Sequence, residues 1–239
     1  MRAILTVLVL GFATMVAGQS NNDSSLSKNV PNSYLNKRAS DHFMIQIGYA
    51  SLAGKPDSIT TKGFSRSFNM SIMFDFQSKT NKHLSVAVGP GIGSDNFFFN
   101  KTSIDINNRK NAIFRKDSTT TYKKYKIATA FLELPVELRY NTNAENSSKG
   151  WKFALGAKIG TIIDAHTKAK VTIDQKQEGN YTLRVKNSFL FNGTRLALTG
   201  RVGIGAFSLY GSYSFTGMFR ESYGPSIRPY SVGLCLSGL

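Results

Sequence analysis

The sequence predicts an all-β protein, an eight-stranded antiparallel up-and-down transmembrane β-barrel. Three observations predict it. Period-2 alternation of apolar and polar residues recurs in runs of about the 9–11 residues that a tilted membrane strand needs. The links between the runs alternate between long and shorter, as expected when the two ends of an antiparallel barrel differ. The apolar face of each run is also its bulky face, whereas the opposite face is mostly Gly, Ala, Ser and Thr.

The N-terminus predicts export. Met1-Arg2 is a short positive segment, Ala3 to Ala17 is apolar, and Val16-Ala17-Gly18 offers small residues for cleavage before Gln19. This is the anatomy of a secretory signal peptide, assigned to residues 1–18. The apolar run falls short of the ~20 residues of a helical span. Residues 19–40, rich in Ser, Asn and Lys, are expected to form a flexible periplasmic extension, and residues 41–239 the barrel.

Eight runs can be followed in order. Phe43, Ile45, Ile47 and Tyr49 face away from Met44, Gln46, Gly48 and Ala50. Phe68 through Phe76 alternate with Asn69, Ser71, Met73 and Asp75. Leu84, Val86, Val88 and Ile92 oppose Ser85, Ala87, Gly89, Gly91 and Gly93. The fourth run sets Leu132, Leu134, Val136, Leu138 and Tyr140 against Phe131, Glu133, Pro135, Glu137 and Arg139. In the fifth, Trp151, Phe153, Leu155, Ile159 and Ile163 oppose Lys152, Ala154, Gly156, Lys158, Gly160 and Asp164. The sixth opposes Leu196, Leu198 and Val202 to Arg195, Ala197 and Arg201. The seventh, from Phe207 to Thr216, and the eighth, from Tyr230 to Ser237, continue the pattern. Pro135 inside a strong strand suggests a local bulge or a distorted register.

The links are 52–65, 79–82, 96–126, 141–150, 167–187, 205–206 and 217–228. The first, third, fifth and seventh are the long ones and are expected outside the cell.

Alternation alone does not say which face points outward, since a soluble lipocalin-like barrel has the same period. Eight strands enclose an interior just wide enough for side chains to fill, so the small-residue face suits the inside. The charges on that face roughly balance: Asp75, Glu133, Glu137 and Asp164 accompany Arg139, Lys158, Arg195 and Arg201. Buried charges must be paired, and a crosslinked interior network meets that need. Trp151 and several Tyr and Phe lie near strand ends, where amphipathic rings favour the membrane interface.

Phe131-Leu-Glu-Leu-Pro-Val-Glu-Leu-Arg-Tyr140 resembles a strand common in the PorT-like outer-membrane β-barrel family of Bacteroidota. Phe153-Ala-Leu-Gly-Ala-Lys-Ile-Gly160 is similar to its next strand, and Val202-Gly-Ile-Gly205 into Leu209-Tyr-Gly-Ser-Tyr213 to its sixth and seventh. The resemblance spans roughly residues 41–239. It implies a location in the cell outer membrane and, from the family's best-known member, an accessory role in type IX secretion. Fold does not imply function, and most relatives have no established role.

The net charge of +16 has no nucleic-acid motif or stripe beside it, so an exported chain is expected to meet lipid phosphates rather than nucleic acid. The link 96–126 carries Lys101, Arg109, Lys110, Arg115, Lys116, Lys123, Lys124 and Lys126 against Asp105 and Asp117. Its functional reading is contact with lipopolysaccharide phosphates or a partner protein; its plain reading is a solvated charged loop. Expected partners are outer-membrane lipid and lipopolysaccharide, with other envelope or secretion proteins.

No metal site is expected: His42, His83 and His166 lack ligand spacing, and Cys235 is the one cysteine. Gly89-Pro-Gly-Ile-Gly93 lacks the helix and Lys-Ser/Thr pair of a phosphate loop. No cofactor is expected either. Asp164 and His166, two apart on a strand, could join Ser214 or another inward serine in a hydrolase triad. The expectation is therefore a non-enzymatic structural or interaction protein. A small outer-membrane lipid hydrolase or acyltransferase is the first alternative and a narrow pore the second.

Overall fold

The computed structural model describes residues 43–57, 59–61, 63–99, 102–106, 112–116, 122–144, 149–172 and 180–238. The expected signal peptide and extension, residues 1–40, lie outside them. The described residues form thirteen strands and no helix. In chain order these are β1 (Phe43–Ala53), β2 (Arg66–Ile72), β3 (Phe74–Gln77), β4 (Leu84–Val88), β5 (Gly91–Phe99), β6 (Thr102–Asp105) and β7 (Ile113–Lys116). Then come β8 (Tyr122–Asn141), β9 (Trp151–Thr172), β10 (Asn180–Lys186), β11 (Thr194–Ile204), β12 (Phe207–Ser214) and β13 (Arg228–Ser237).

The strands occupy a ring of eight positions, all neighbours antiparallel. β2 with β3 fills one position, β4 with β5 the next, and β10 continues the position of β11 along β9. β13 returns to β1, from Met44↔Ser237 to Ala53↔Arg228, and closes the ring. Closure pairs both edges of the eight ring strands, as the hydrocarbon of a bilayer demands, while β3 and β10 each join a single neighbouring strand among the described residues.

The outer face is apolar where the barrel spans the membrane. Leu132, Leu134, Val136, Leu138 and Tyr140 are exposed along β8, and Trp151, Phe153, Leu155, Ile159 and Ile163 along β9. Leu155 at 61% and Leu234 at 62% exposure would be costly in water and are favourable against acyl chains. At the periplasmic end Tyr140, Phe153 and Trp151 adjoin, with centroids 6.3–6.5 Å apart. Tyr49 and Phe64 pair at 5.4 Å toward the other end.

Two expected runs are broken. β2 gives way to β3 at Met73, and β4 to β5 at Gly89-Pro90. Pro135 does not shift the register: Val88↔Val136 and Gly91↔Glu133 flank it in step, and Pro135 pairs with Lys158 on its other side. It sits opposite the Gly89-Pro90 break, where few ladder hydrogen bonds are lost to its missing N–H. The bulge falls instead on β9, where Ala130 pairs with Asp164 but Phe131 with Ile162, leaving Ile163 as the extra residue.

The long links are less loop-like than expected. Of 96–126, residues 96–99 extend β5, β6 and β7 form a hairpin, and β8 starts at Tyr122. Of 167–187, residues through Thr172 extend β9 and β10 pairs back onto it. The seventh run ends at Ser214 rather than Thr216.

These extensions stand above the membrane band, and there the polarity of the wall reverses. Phe97, Phe99, Tyr125, Ile127, Ala165 and Ala169 point inward and join Leu52, Ile104, Leu190, Phe191, Phe219 and Ile227 in one apolar core. Asn96, Lys126 and His166 occupy the outward positions between them. Water outside and apolar side chains inside make the extracellular half obey the rule of a soluble barrel.

Candidate functional site

Within the membrane-spanning half, β8 supplies the two glutamates around which the interior is built. Glu133 Oε2 accepts from Lys158 Nζ at 3.0 Å, and Glu133 Oε1 lies 3.3 Å from Arg195 Nη1. Arg195 Nη1 also lies 2.8 Å from Asp95 Oδ2, and its guanidinium stacks on Phe131 at 5.1 Å. Glu137 Oε2 accepts from Arg139 Nε at 2.9 Å and from Arg201 Nη2 at 3.1 Å. Arg139 Nη1 stands 3.9 Å from Asp75 Oδ1, and Arg201 donates to Ser237 Oγ at 3.1 Å.

Two glycines of β9 make room for these glutamates. The register sets Glu133 opposite Gly160 and Glu137 opposite Gly156. A Cβ on Gly160 would meet Glu133 Cγ at 3.0 Å, and one on Gly156 would meet Glu137 Cγ at 3.0 Å and the Val136 carbonyl at 2.3 Å. The alternation of glycine on β9 with glutamate on β8 is thus a packing requirement of a narrow barrel.

Seven of the eight residues expected in the interior network form ion pairs there, in two clusters: Glu133 with Lys158 and Arg195, and Glu137 with Arg139, Arg201 and, through Arg139, Asp75. Asp164 is not among them. The extra residue at Ile163 advances the side-chain phase by one, so Ala165, Thr167 and Ala169 turn inward while Asp164 and His166 turn out. Two contributors escaped the sequence reading. Asp95 pairs with Arg195, and Asn69 Oδ1 accepts from Lys158 Nζ at 3.4 Å. Asp95 lies past the third run as drawn, and only continuing its alternation beyond Gly93 would have placed it inside.

On the outer surface Asp164 forms its own cluster. Its carboxylate lies 2.7 Å from Lys186 Nζ, 2.7 Å from His166 Nδ1 and 3.4 Å from Arg184 Nη2.

The hydrolase triad is not assembled. Asp164 and His166 do meet, but outside the wall, whereas Ser214 is buried two strands away and donates to the Thr216 carbonyl at 3.0 Å. Among the described residues no group of three or more His, Cys, Asp or Glu could hold a metal ion.

The expected basic loop is divided. Lys101, Arg109 and Lys110 lie outside the described residues. Arg115 and Lys116 fall in β7, and Lys123 and Lys124 in β8, so they belong to strands and not to a loop. Lys126, also in β8, points out of the wall and donates to Asn96 Oδ1 at 2.7 Å. In sequence this run resembles a loop because its alternation has apolar residues inside and charge outside, the reverse of the membrane half.

A closed antiparallel ring with an apolar outside and a charge-filled inside defines an outer-membrane β-barrel protein. The chain belongs to the family described as "Outer membrane protein beta-barrel domain", whose profile matches residues 18–220, and its place is the cell outer membrane. Among solved structures it is similar to Ail, the attachment invasion locus protein of Yersinia pestis. That likeness has 14% identity and a TM-score of 0.34, and covers 82% of this chain and 95% of Ail. No curated protein matches the chain.

Proposed function

We propose that the protein acts as a closed structural and interaction protein of the outer membrane, with its working surfaces at the extracellular end and not along an internal path. The observation that carries this is double closure of the interior. The glutamate-centred network crosses the membrane half, and the apolar core of Phe97, Phe191 and Phe219 fills the extracellular half. Two cavities among the described residues, one beside Arg195 and one beside Glu133 and Lys158, are about 20 Å³ each, room for about one water apiece. In planar bilayers the purified chain is expected to give no discrete current steps in molar salt. Regular steps of uniform size would overturn the reading.

A narrower form of the proposal is an accessory role in type IX secretion. Its support is the resemblance of residues 131–140 and 153–160 to the PorT-like family of Bacteroidota. Deletion of the gene is then expected to leave secreted cargo in the periplasm; normal export of every such cargo would remove this narrower form.

A further inference from the structure

Above the membrane band the outward positions of five ring-neighbouring strands form rows fixed by register. One row reads Arg66, Asn96, Ala128, His166 and Lys186 across β2, β5, β8, β9 and β10. The next row outward reads Phe98, Lys126, Lys168 and Arg184. Neighbouring strands are about 4.8 Å apart, so the patch is roughly 20 Å wide. Arg66, Lys126, Lys168, Arg184 and Lys186 share it with one described carboxylate, Asp164. That carboxylate is engaged by Lys186 and Arg184, and no ion pair among the described residues involves Arg66, Lys126 or Lys168.

Two features set this patch apart from an ordinary charged surface. First, lipid-facing side chains lie below it on the same strands: Phe68 follows Arg66 on the outward face, Ile163 adjoins Asp164, and Ile92 and Leu132 lie one outward position beyond Ser94 and Ala130. Second, the cations are crowded. Lys126 is held over the Phe98 ring at 5.8 Å, and partial burial with repulsion from Lys168, Arg66 and Arg184 lowers its affinity for its proton. An anion of more than one charge would relieve that repulsion.

We propose that this lateral patch binds the phosphate groups of a phosphorylated glycolipid in the outer leaflet, whose acyl chains lie on the apolar wall beneath. The site deepens the interaction reading above and rests on it. The partner is fixed by amphiphilic geometry: phosphate for the cations, hydrocarbon for Leu132 and Ile163, both on one side of one wall.

The test uses the full chain in mild detergent, with lipid binding followed by native mass spectrometry. Bisphosphorylated lipid A is compared with the same lipid after dephosphorylation, and with inorganic phosphate alone. Wild type is expected to favour the bisphosphorylated lipid at least tenfold, with the preference shrinking at high salt. The exposed cations are changed in two separate pairs, R66Q/K168Q and R184Q/K186Q, each expected to reduce binding at least threefold. K79Q/K82Q, on the periplasmic turn, is expected to leave it unchanged. Retention of heat-dependent electrophoretic mobility confirms that each variant is folded. Equal binding of the two lipids, inorganic phosphate competing as strongly as the lipid, or undiminished binding by both pairs would overturn the site. Current steps with preserved lipid discrimination would overturn only the closed-barrel reading, and lost discrimination in a silent bilayer only this one.

Discussion

Replacing Glu137 with alanine is expected to destabilise the barrel by about 3–5 kcal/mol, because two buried guanidinium groups lose the carboxylate they share. Glu137 is 3% exposed and lies 2.9 Å from Arg139 Nε and 3.1 Å from Arg201 Nη2. The nearest remaining carboxylate for Arg139 is Asp75 at 3.9 Å, too long for a good hydrogen bond. Urea unfolding in lipid vesicles measures the effect. The double substitution Glu137→Met with Arg201→Met is expected to cost less than Glu137→Ala alone, since one stranded cation leaves with its partner. A loss under about 1 kcal/mol for Glu137→Ala would mean that water screens the network, as it screens surface pairs.

Replacing Phe97 with alanine is expected to remove about 3–5 kcal/mol from the extracellular half while leaving the membrane half intact. Phe97 is 0% exposed and belongs to the core that also holds Phe99, Ile127 and Phe191. Its neighbours come from separate strands and links, so a cavity there loosens several segments together. The membrane half has its own closure through the β1–β13 ladder and the charge network. Limited proteolysis of the reconstituted chain should therefore speed up by roughly a hundredfold, for about 3 kcal/mol of local opening, with the heat-dependent mobility shift retained. Unchanged proteolysis would show that the extracellular core does not open as a unit.

Much of the membrane half was legible in the sequence because solvent and lipid impose opposite demands on a strand of fixed period. On β8 the alternation of Leu132 to Tyr140 with Glu133, Glu137 and Arg139 identifies both faces without a structure. The charges could even be grouped, since an eight-stranded interior is too narrow to leave them apart. Their partners could not be assigned. Glu133 meets Lys158 and Arg195 because β5, β8, β9 and β11 curve around one axis, and Asp95 joins from a strand whose inner face continues past Gly93.

The extracellular half is hidden in the sequence for a definite reason. Phe97, Phe99, Tyr125 and Ile127 alternate as cleanly as any membrane strand, but with the apolar side inward and Lys126 outward. A basic composition and the reversed polarity together looked like a solvated loop. Asp164 failed differently. One extra residue at Ile163 turned it from the interior to the surface, and no local sequence signal marks that bulge.

The alternating runs, the lengths of their links and the bulk of their faces by themselves determined an outer-membrane barrel with a charged interior, because those properties repeat every second residue and are written locally. Tertiary structure alone decided where the membrane band stops, which charges meet, and that Arg66, Lys126, Lys168 and Lys186 share one face. Those depend on register between strands distant in sequence, and a shift of one residue at Ile163 is enough to exchange inside for outside.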